Sequence, residues 1–201
     1  MLFIGDSITD ADWREDPEAL GKGYVRAVRE HLCARDPSNA PIVLNRGISG
    51  NKIGDLQKRW QRDVIELRPD VLSVFIGVND VWHGLIPGRE GTVPAVFEQV
   101  YRSLLRQTRE LLPAVRIVLC EPSALWLTEP PDAHDQLRPY ADIVRRVAAE
   151  HDVSALVPLY QAFTVARKAR EDIAWTTDGV HPTSVGHALI ARAWLQATGL
   201  I

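Results

Sequence analysis

The sequence predicts an α/β fold: a parallel sheet covered by helices on both faces, a three-layer α/β/α sandwich. Two observations predict it. Five short apolar runs, several rich in β-branched residues, fall at Leu2–Ile4, Ile42–Leu44, Val71–Ile76, Ile117–Leu119 and Ala155–Val157. Longer stretches with helical periodicity separate them, and strands alternating with helices imply right-handed crossovers between parallel strands. Length and composition agree, since 201 residues with 46% apolar and 24% charged side chains suit one globular domain, residues 1–201, with a substantial core.

The first run ends in Gly5-Asp6-Ser7. A buried strand that stops on a small residue leaves the next side chains at the sheet's carboxyl edge, where open α/β sheets place ligands. Gly5 permits a tight turn, and Ser7 then falls near the first turn of the next element, with its N–H free. Taken alone, these residues also fit an ordinary strand and turn. Helical patterns come next at about Tyr24–Ala34, Ile53–Leu67, Pro94–Leu111, Tyr140–His151 and Tyr160–Ala169, with a last helix over about Pro182–Thr198. Trp60 and Trp194 lie at apolar helical spacing and are expected in the core. Pro87–Gly91 and Glu121–Pro139 are the longest irregular stretches, and both come after strand ends, so both can wall a site. Pro122, Pro130, Pro131 and Pro139 predict a stiff excursion rather than a helix in the second.

Several function classes are disfavoured. A net charge of −3 with no basic cluster offers no surface for nucleic acid or for an anionic membrane. No run of 18 apolar residues appears, and Met1 leads directly into a strand and then acidic residues, unlike a secretory leader. The expectation is a cytoplasmic protein. Cys33 and Cys120 are too few for a disulfide framework and are read as packed thiols. Neither G-x-G-x-x-G, nor a P-loop, nor a G-x-S-x-G elbow is present. Asp6, Asp10 and Asp12 lack the histidine partners or spacing of a metal site, so neither metal nor cofactor is implied.

What remains at the strand ends is suited to acyl transfer. Gly5-Asp6-Ser7, Arg46 to Asn51 and Gly77-Val78-Asn79-Asp80 lie just past the first three strands, and Asp178-Gly179-Val180-His181-Pro182 precedes the last helix. Acyl transfer needs a hydroxyl nucleophile, a base, a group that orients the base, and donors for the oxyanion. Ser7 can be the nucleophile, His181 the base and Asp178 the orienting carboxylate. One tight turn, fixed by Pro182 at the first helical position, lets Asp178 and His181 point the same way. The N–H groups of Ser7 and Gly50 and the side-chain amide of Asn79 are available as donors.

Gly5-Asp6-Ser7, the glycine of Ile48-Ser49-Gly50, Gly77-x-Asn79-Asp80 and Asp178-x-x-His181 together resemble the four sequence blocks of the GDSL/SGNH hydrolase superfamily, in the family's order and across nearly the whole chain. Ile8 stands where the name-giving motif has leucine, and the first strand begins almost at Met1, where the family usually has a few leading residues that are here either absent or cut off by the assigned start. The resemblance implies a flavodoxin-like five-stranded parallel sheet, Ser7 as nucleophile, Asp178 and His181 from one loop, and an oxyanion hole from Ser7, Gly50 and Asn79. Longer strings, Leu20-Gly21-x-Gly23-Tyr24, Asn45-x-Gly47-Ile48-Ser49-Gly50-Asn51, Gly77-x-Asn79-Asp80-Val81-Trp82 and Val180-His181-Pro182-x-x-x-Gly186-His187, resemble intracellular acetyl-xylan esterases. That implies a serine esterase removing short acyl groups, acetyl foremost, from a carbohydrate such as xylo-oligosaccharides. A lysophospholipase- or thioesterase-like enzyme is the alternative, and a carbohydrate-binding relative without catalysis ranks last because every catalytic residue is present. A homo-oligomer is left open.

Around the site, Asp6 and Asp80 are expected to hold loops by accepting backbone N–H bonds. Trp82, Trp126 and Trp175 fall on loops at the catalytic edge, where they either stack on a sugar or pack beneath the loops. His83 is split between substrate contact and a surface role. His187 is expected in a structural hydrogen bond; His31, His134 and His151 are expected to be solvated.

Overall fold

The computed structural model describes residues 1–201. Its centre is β1 (Leu2–Gly5), whose Leu2, Phe3 and Ile4 are completely buried. It pairs with β2 (Leu44–Gly47) on one side and β3 (Val71–Phe75) on the other. β4 (Arg116–Cys120) and β5 (Ala155–Val157) extend the sheet, all strands parallel, in the order β2-β1-β3-β4-β5. That is the flavodoxin-like order, and the chain reverses its direction of winding between β1 and β3, so the ligand crevice belongs at their carboxyl ends.

One face of the sheet is covered by α2 (Tyr24–Arg35) and α8 (Ser184–Ala197), with α7 (Leu159–Ala169) against α8. The other carries α3 (Ile53–Trp60), α5 (Pro94–Leu111) and α6 (Ala133–Glu150), with α5 between its two neighbours. Two short helices, α1 (Ser7–Asp10) and α4 (Val78–Trp82), come after β1 and β3. The buried apolar residues form one contiguous cluster. Trp60 and Trp194 lie in it as expected, and their indole N–H groups find acceptors on Thr108 (3.0 Å) and Ser73 (3.0 Å). Without them each buried N–H would be unsatisfied.

Four boundaries differ from the sequence reading. β2 starts at Leu44, not Ile42, because Ile42 is 81% exposed and its carbonyl takes the N-terminal ammonium. The inward residues of this edge strand, Asn45 and Gly47, carry no apolar signal. The helix expected over Ile53–Leu67 runs as α3 and widens over Gln61–Ile65 into a helical turn closed by Glu66 N–H to Gln61 O, ending two residues short of the expected end. α6 begins at Ala133 rather than Tyr140, so the last part of the proline-bearing excursion is helical and Pro139 sits inside it. Ala133 and Leu137 are fully buried there, and that packing outweighs the hydrogen bond lost at proline. α8 starts at Ser184, capped by the Thr183 hydroxyl, which accepts Gly186 N–H. Pro182 is therefore not a first helical residue. It pairs with Thr176 in an isolated antiparallel bridge that closes the preceding loop.

His134 also departs from expectation. It is partly buried, stacked on Tyr160 at 4.4 Å between ring centres, and bonded to Leu125 N–H and Thr164 Oγ1. Its neighbours Tyr160, Thr164 and Leu125 are far enough away in sequence to hide this packing.

Candidate active site

Ser7 owes its position to the turn before it. A side chain on Gly5 would run into the Phe75 carbonyl and Thr9, so only glycine lets β1 turn into α1 there. Asp6 caps α1 by accepting Ile8 N–H at 3.0 Å through Oδ1. Its other oxygen is buried and unpartnered, and burial pushes its pKa up to about 7 against that hydrogen bond. As the first helical residue, Ser7 has an N–H with no acceptor within its own helix.

The segment after β2 is drawn against this turn. Ile48 N–H donates to the Gly5 carbonyl at 3.1 Å, and Ser49 donates both N–H and hydroxyl to Asp10 Oδ2 at 2.9 Å. Gly50 comes next with φ of +78°, and its N–H donates to no group of the protein. After β3, α4 presents Asn79, which is 1% exposed and donates one amide hydrogen to the Asn51 carbonyl at 3.2 Å. A primary amide has two hydrogens, so one remains for a ligand. Asp80 turns away and accepts Ile53 N–H, at the start of α3, at 3.2 Å; burial pushes its pKa up to about 6. Both aspartates thus hold backbone, as expected of them.

The remaining pieces come from the loop between Thr176 and Pro182. Asp178 Oδ1 accepts the N–H groups of Val180 and His181 at 3.0 and 2.8 Å, and Oδ2 meets His181 Nδ1 at 2.6 Å. Gly179 takes φ of +88°, and a Cβ there would strike the Trp126 carbonyl, so the loop's shape requires glycine. His181 Nε2 lies 2.9 Å from Ser7 Oγ, across 174 positions of sequence. Partial burial would raise the Asp178 pKa, but hydrogen bonds from the His181 backbone and ring and from Val180 outweigh it and hold it below its ordinary value. A carboxylate at Nδ1 favours a proton on that nitrogen, and in the neutral ring with that tautomer Nε2 is an acceptor for the Ser7 hydroxyl.

The chain belongs to the GDSL-like lipase/acylhydrolase family. The model of that family matches residues 3–189. An acetylxylan esterase of Geobacillus stearothermophilus is 36% identical over 214 residues, covering 99% of this chain and 93% of that protein. The crystal structure of Axe2, an acetylxylan esterase from Geobacillus stearothermophilus, is 36% identical and superposes with a TM-score of 0.87, over 98% of this chain and 93% of that one. A Parabacteroides merdae protein described as a GDSL-like lipase, 38% identical, gives 0.89 over 100% of this chain and 95% of that one. A multidomain esterase of Ruminococcus flavefaciens is 27% identical over 137 residues, 64% of this chain and 15% of that protein. This GDSL-like acylhydrolase is accordingly a carboxylic ester hydrolase. None of its helices is long and apolar enough to cross a membrane.

The tryptophans named from sequence separate in the acylhydrolase structure. The Trp82 ring meets the His181 ring edge-on, 5.8 Å between centres. Trp126, partly buried, packs on Phe163 and His134, with the Arg167 guanidinium 4.7 Å from its ring centre. Trp175 donates its indole N–H to Arg170 O and shares with Trp126 a cleft of about 180 Å³ behind Gly179. Clefts of about 460 and 410 Å³, lined by Asp80, Tyr140 and Thr92 and by Lys52, Lys58 and Thr92, take in neither Ser7 nor His181.

Sequence reasoning passed over three supporting residues. Asn45, 1% exposed, donates to the Thr9 and Leu20 carbonyls and accepts Gly47 N–H. Asp10 holds Ser49 through the two bonds described above. Arg59, 8% exposed, donates to Asn51, Arg46, Asp63 and Gly5. Arg59 and Asp63, four residues apart beside the apolar Leu56, Trp60 and Val64, were the available signal for a buried ion pair.

Proposed function

We propose that this chain is a serine esterase that removes acetyl groups from carbohydrate, such as acetylated xylo-oligosaccharides, through an acyl-enzyme on Ser7. The observation that carries this reading is the continuous relay Ser7 Oγ–His181 Nε2–His181 Nδ1–Asp178 Oδ2, with steps of 2.9 and 2.6 Å, in a chain similar to an acetylxylan esterase. Ser7 Oγ attacks the ester carbonyl carbon as Nε2 takes its proton. The carbonyl oxygen becomes an oxyanion facing the Ser7 and Gly50 N–H groups and the spare amide hydrogen of Asn79. His181 then returns its proton to the sugar oxygen, the C–O bond breaks, and acetyl stays on Ser7. Water, deprotonated by His181, attacks the acetyl carbon, and acetate leaves as Ser7 regains its proton.

Asp178 holds the His181 ring in the tautomer this requires and stabilises it when it is protonated. Trp82, against His181, supplies an aromatic wall for the acyl or sugar group. No step calls for a metal or an organic cofactor. We place the activity in the cytoplasm, where the unpaired thiols Cys33 and Cys120 suit a reducing compartment.

The test is acetate release from peracetylated xylose and acetylated xylo-oligosaccharides. The native protein should release it, and Ser7→Ala should lose about 10⁴-fold or more in kcat while keeping its thermal midpoint. Near-normal turnover by Ser7→Ala overturns the nucleophile, and absent acetate release with active simple esters overturns the sugar.

A further inference from the structure

The segment that carries Gly50 and Asn51 lies between two edges of the site and has no regular structure of its own. Its position depends on what grips it. Asp10 takes Ser49 on one side, and on the other Arg59 donates Nε–H to Asn51 Oδ1 at 2.9 Å. The same guanidinium donates to the Arg46 carbonyl at 2.8 Å, at the end of β2, and to the Gly5 carbonyl at 3.0 Å, at the end of β1. Asp63 Oδ2, at 2.9 Å, balances its charge, and both side chains are 8% exposed.

This planar fork therefore connects the residue two before the nucleophile, the end of the neighbouring strand and the donor segment. Asn51 passes the constraint on, because its carbonyl accepts the Asn79 side-chain amide at 3.2 Å. Fixing one amide hydrogen on Asn51 sets the direction of the other. A lysine could not reproduce this, since an ammonium has three donors around one point, whereas arginine holds separate acceptors in a plane.

We infer that Arg59 is a positioning residue of the oxyanion hole, acting through Asn51 on the Asn79 amide. The inference rests on the reading of Asn79 as an oxyanion donor. A preorganised donor matters most where charge develops in the transition state, so its misplacement lowers kcat and leaves KM nearly unchanged. A buried ion pair that only fastens α3 to the sheet would instead lower thermal stability and leave kcat of the folded enzyme intact.

A double-mutant cycle separates the two. With 4-nitrophenyl acetate, Arg59→Met should lower kcat roughly 10- to 100-fold with KM within about threefold. In an Asn79→Ala background the same substitution should change kcat by less than about threefold, because the group it aims is gone. Asn51→Leu, which removes the Oδ1 acceptor and keeps the carbonyl, takes the place of Arg59→Met if that protein does not fold. Its loss of kcat should likewise vanish beside Asn79→Ala. Equal losses in both backgrounds, or an effect confined to KM or the thermal midpoint, overturn the positioning role. Failure of the reading beneath it has a different signature: Ser7→Ala stays active, or Asn79→Ala alone leaves kcat unchanged.

Discussion

Asn79 shows how much one side chain can be asked to do at this site. It is buried and spends one amide hydrogen on Asn51, which leaves the other for the oxyanion in the proposed mechanism. Removing it leaves Ser7, His181 and Asp178 in place, so Asn79→Ala should cost roughly 10²–10³ in kcat with little change in KM. Steady-state kinetics on a short-chain ester check this, and a loss confined to KM would mean that Asn79 binds ground-state substrate instead. Ser7, Gly50, Asn79, Asp178 and His181 were legible in sequence because chemistry restricts each to very few residue types. Asn45 was not, because it donates to backbone carbonyls, which every residue possesses; Asn51 and Arg59 were not, because they meet each other, Asn79 and the strand ends only once the chain has folded.

Among the elements, α2 and α8 are joined by a device that titrates. Tyr24, the first residue of α2, comes after Gly23, which has no side chain to cap the helix. His187, in the first turns of α8, accepts Tyr24 N–H through Nδ1 at 3.2 Å, the structural hydrogen bond expected of it. Burial, with His181 nearby, pushes its pKa down to about 4. A base whose pKa is depressed on folding stabilises the fold above its unfolded value, near 6.5, and that contribution is lost as pH falls through about 4. Buried Asp6 and Asp80, raised to about 7 and about 6, act with the opposite slope across part of this window, stabilising more as pH falls. The comparison of variant with native protein is therefore the informative quantity. His187→Gln keeps an acceptor and cannot titrate, so its thermal midpoint relative to native should rise by several degrees between pH 6.5 and 4. A constant difference across that range would remove His187 from the account.

For the whole molecule, the question is what size of acyl group the enzyme prefers. Of its large exposed apolar residues only Val93 and Val96 are close neighbours, at the start of α5; Ile42 lies before β2, Leu111 ends α5, Val165 is on α7, Val185 on α8 and Ile201 is the last residue. Scattered single residues are normal for a soluble surface and do not make a lipid-facing patch. Each buried methylene contributes about 0.8 kcal/mol, so an enzyme built for long chains improves steadily with acyl length. Here 4-nitrophenyl acetate should be hydrolysed faster than butyrate and far faster than octanoate. A kcat/KM that climbs from acetate to octanoate would favour the lysophospholipase or thioesterase alternative.

The alternation of apolar runs with helical stretches carried the parallel α/β/α architecture, because burial on both faces makes the period of each element visible locally. The boundaries that moved did so where nonlocal contacts outweigh local preference. β2 is held at Leu44 by Leu2 across the sheet, and α6 runs through Pro139 because Ala133 and Leu137 pack in the core. Pro182 closes a bridge with Thr176 rather than opening a helix, since Thr183 offers the better cap. The chemistry at the strand ends could be read from residue types and order, as could the family. Only the tertiary structure could bring His181 across 174 positions to 2.9 Å from Ser7, or set Arg59 against three separate segments. The reason is physical. Hydrogen bonds act over a few ångströms, and the folded sheet, not the order of residues along the chain, decides which groups come that close.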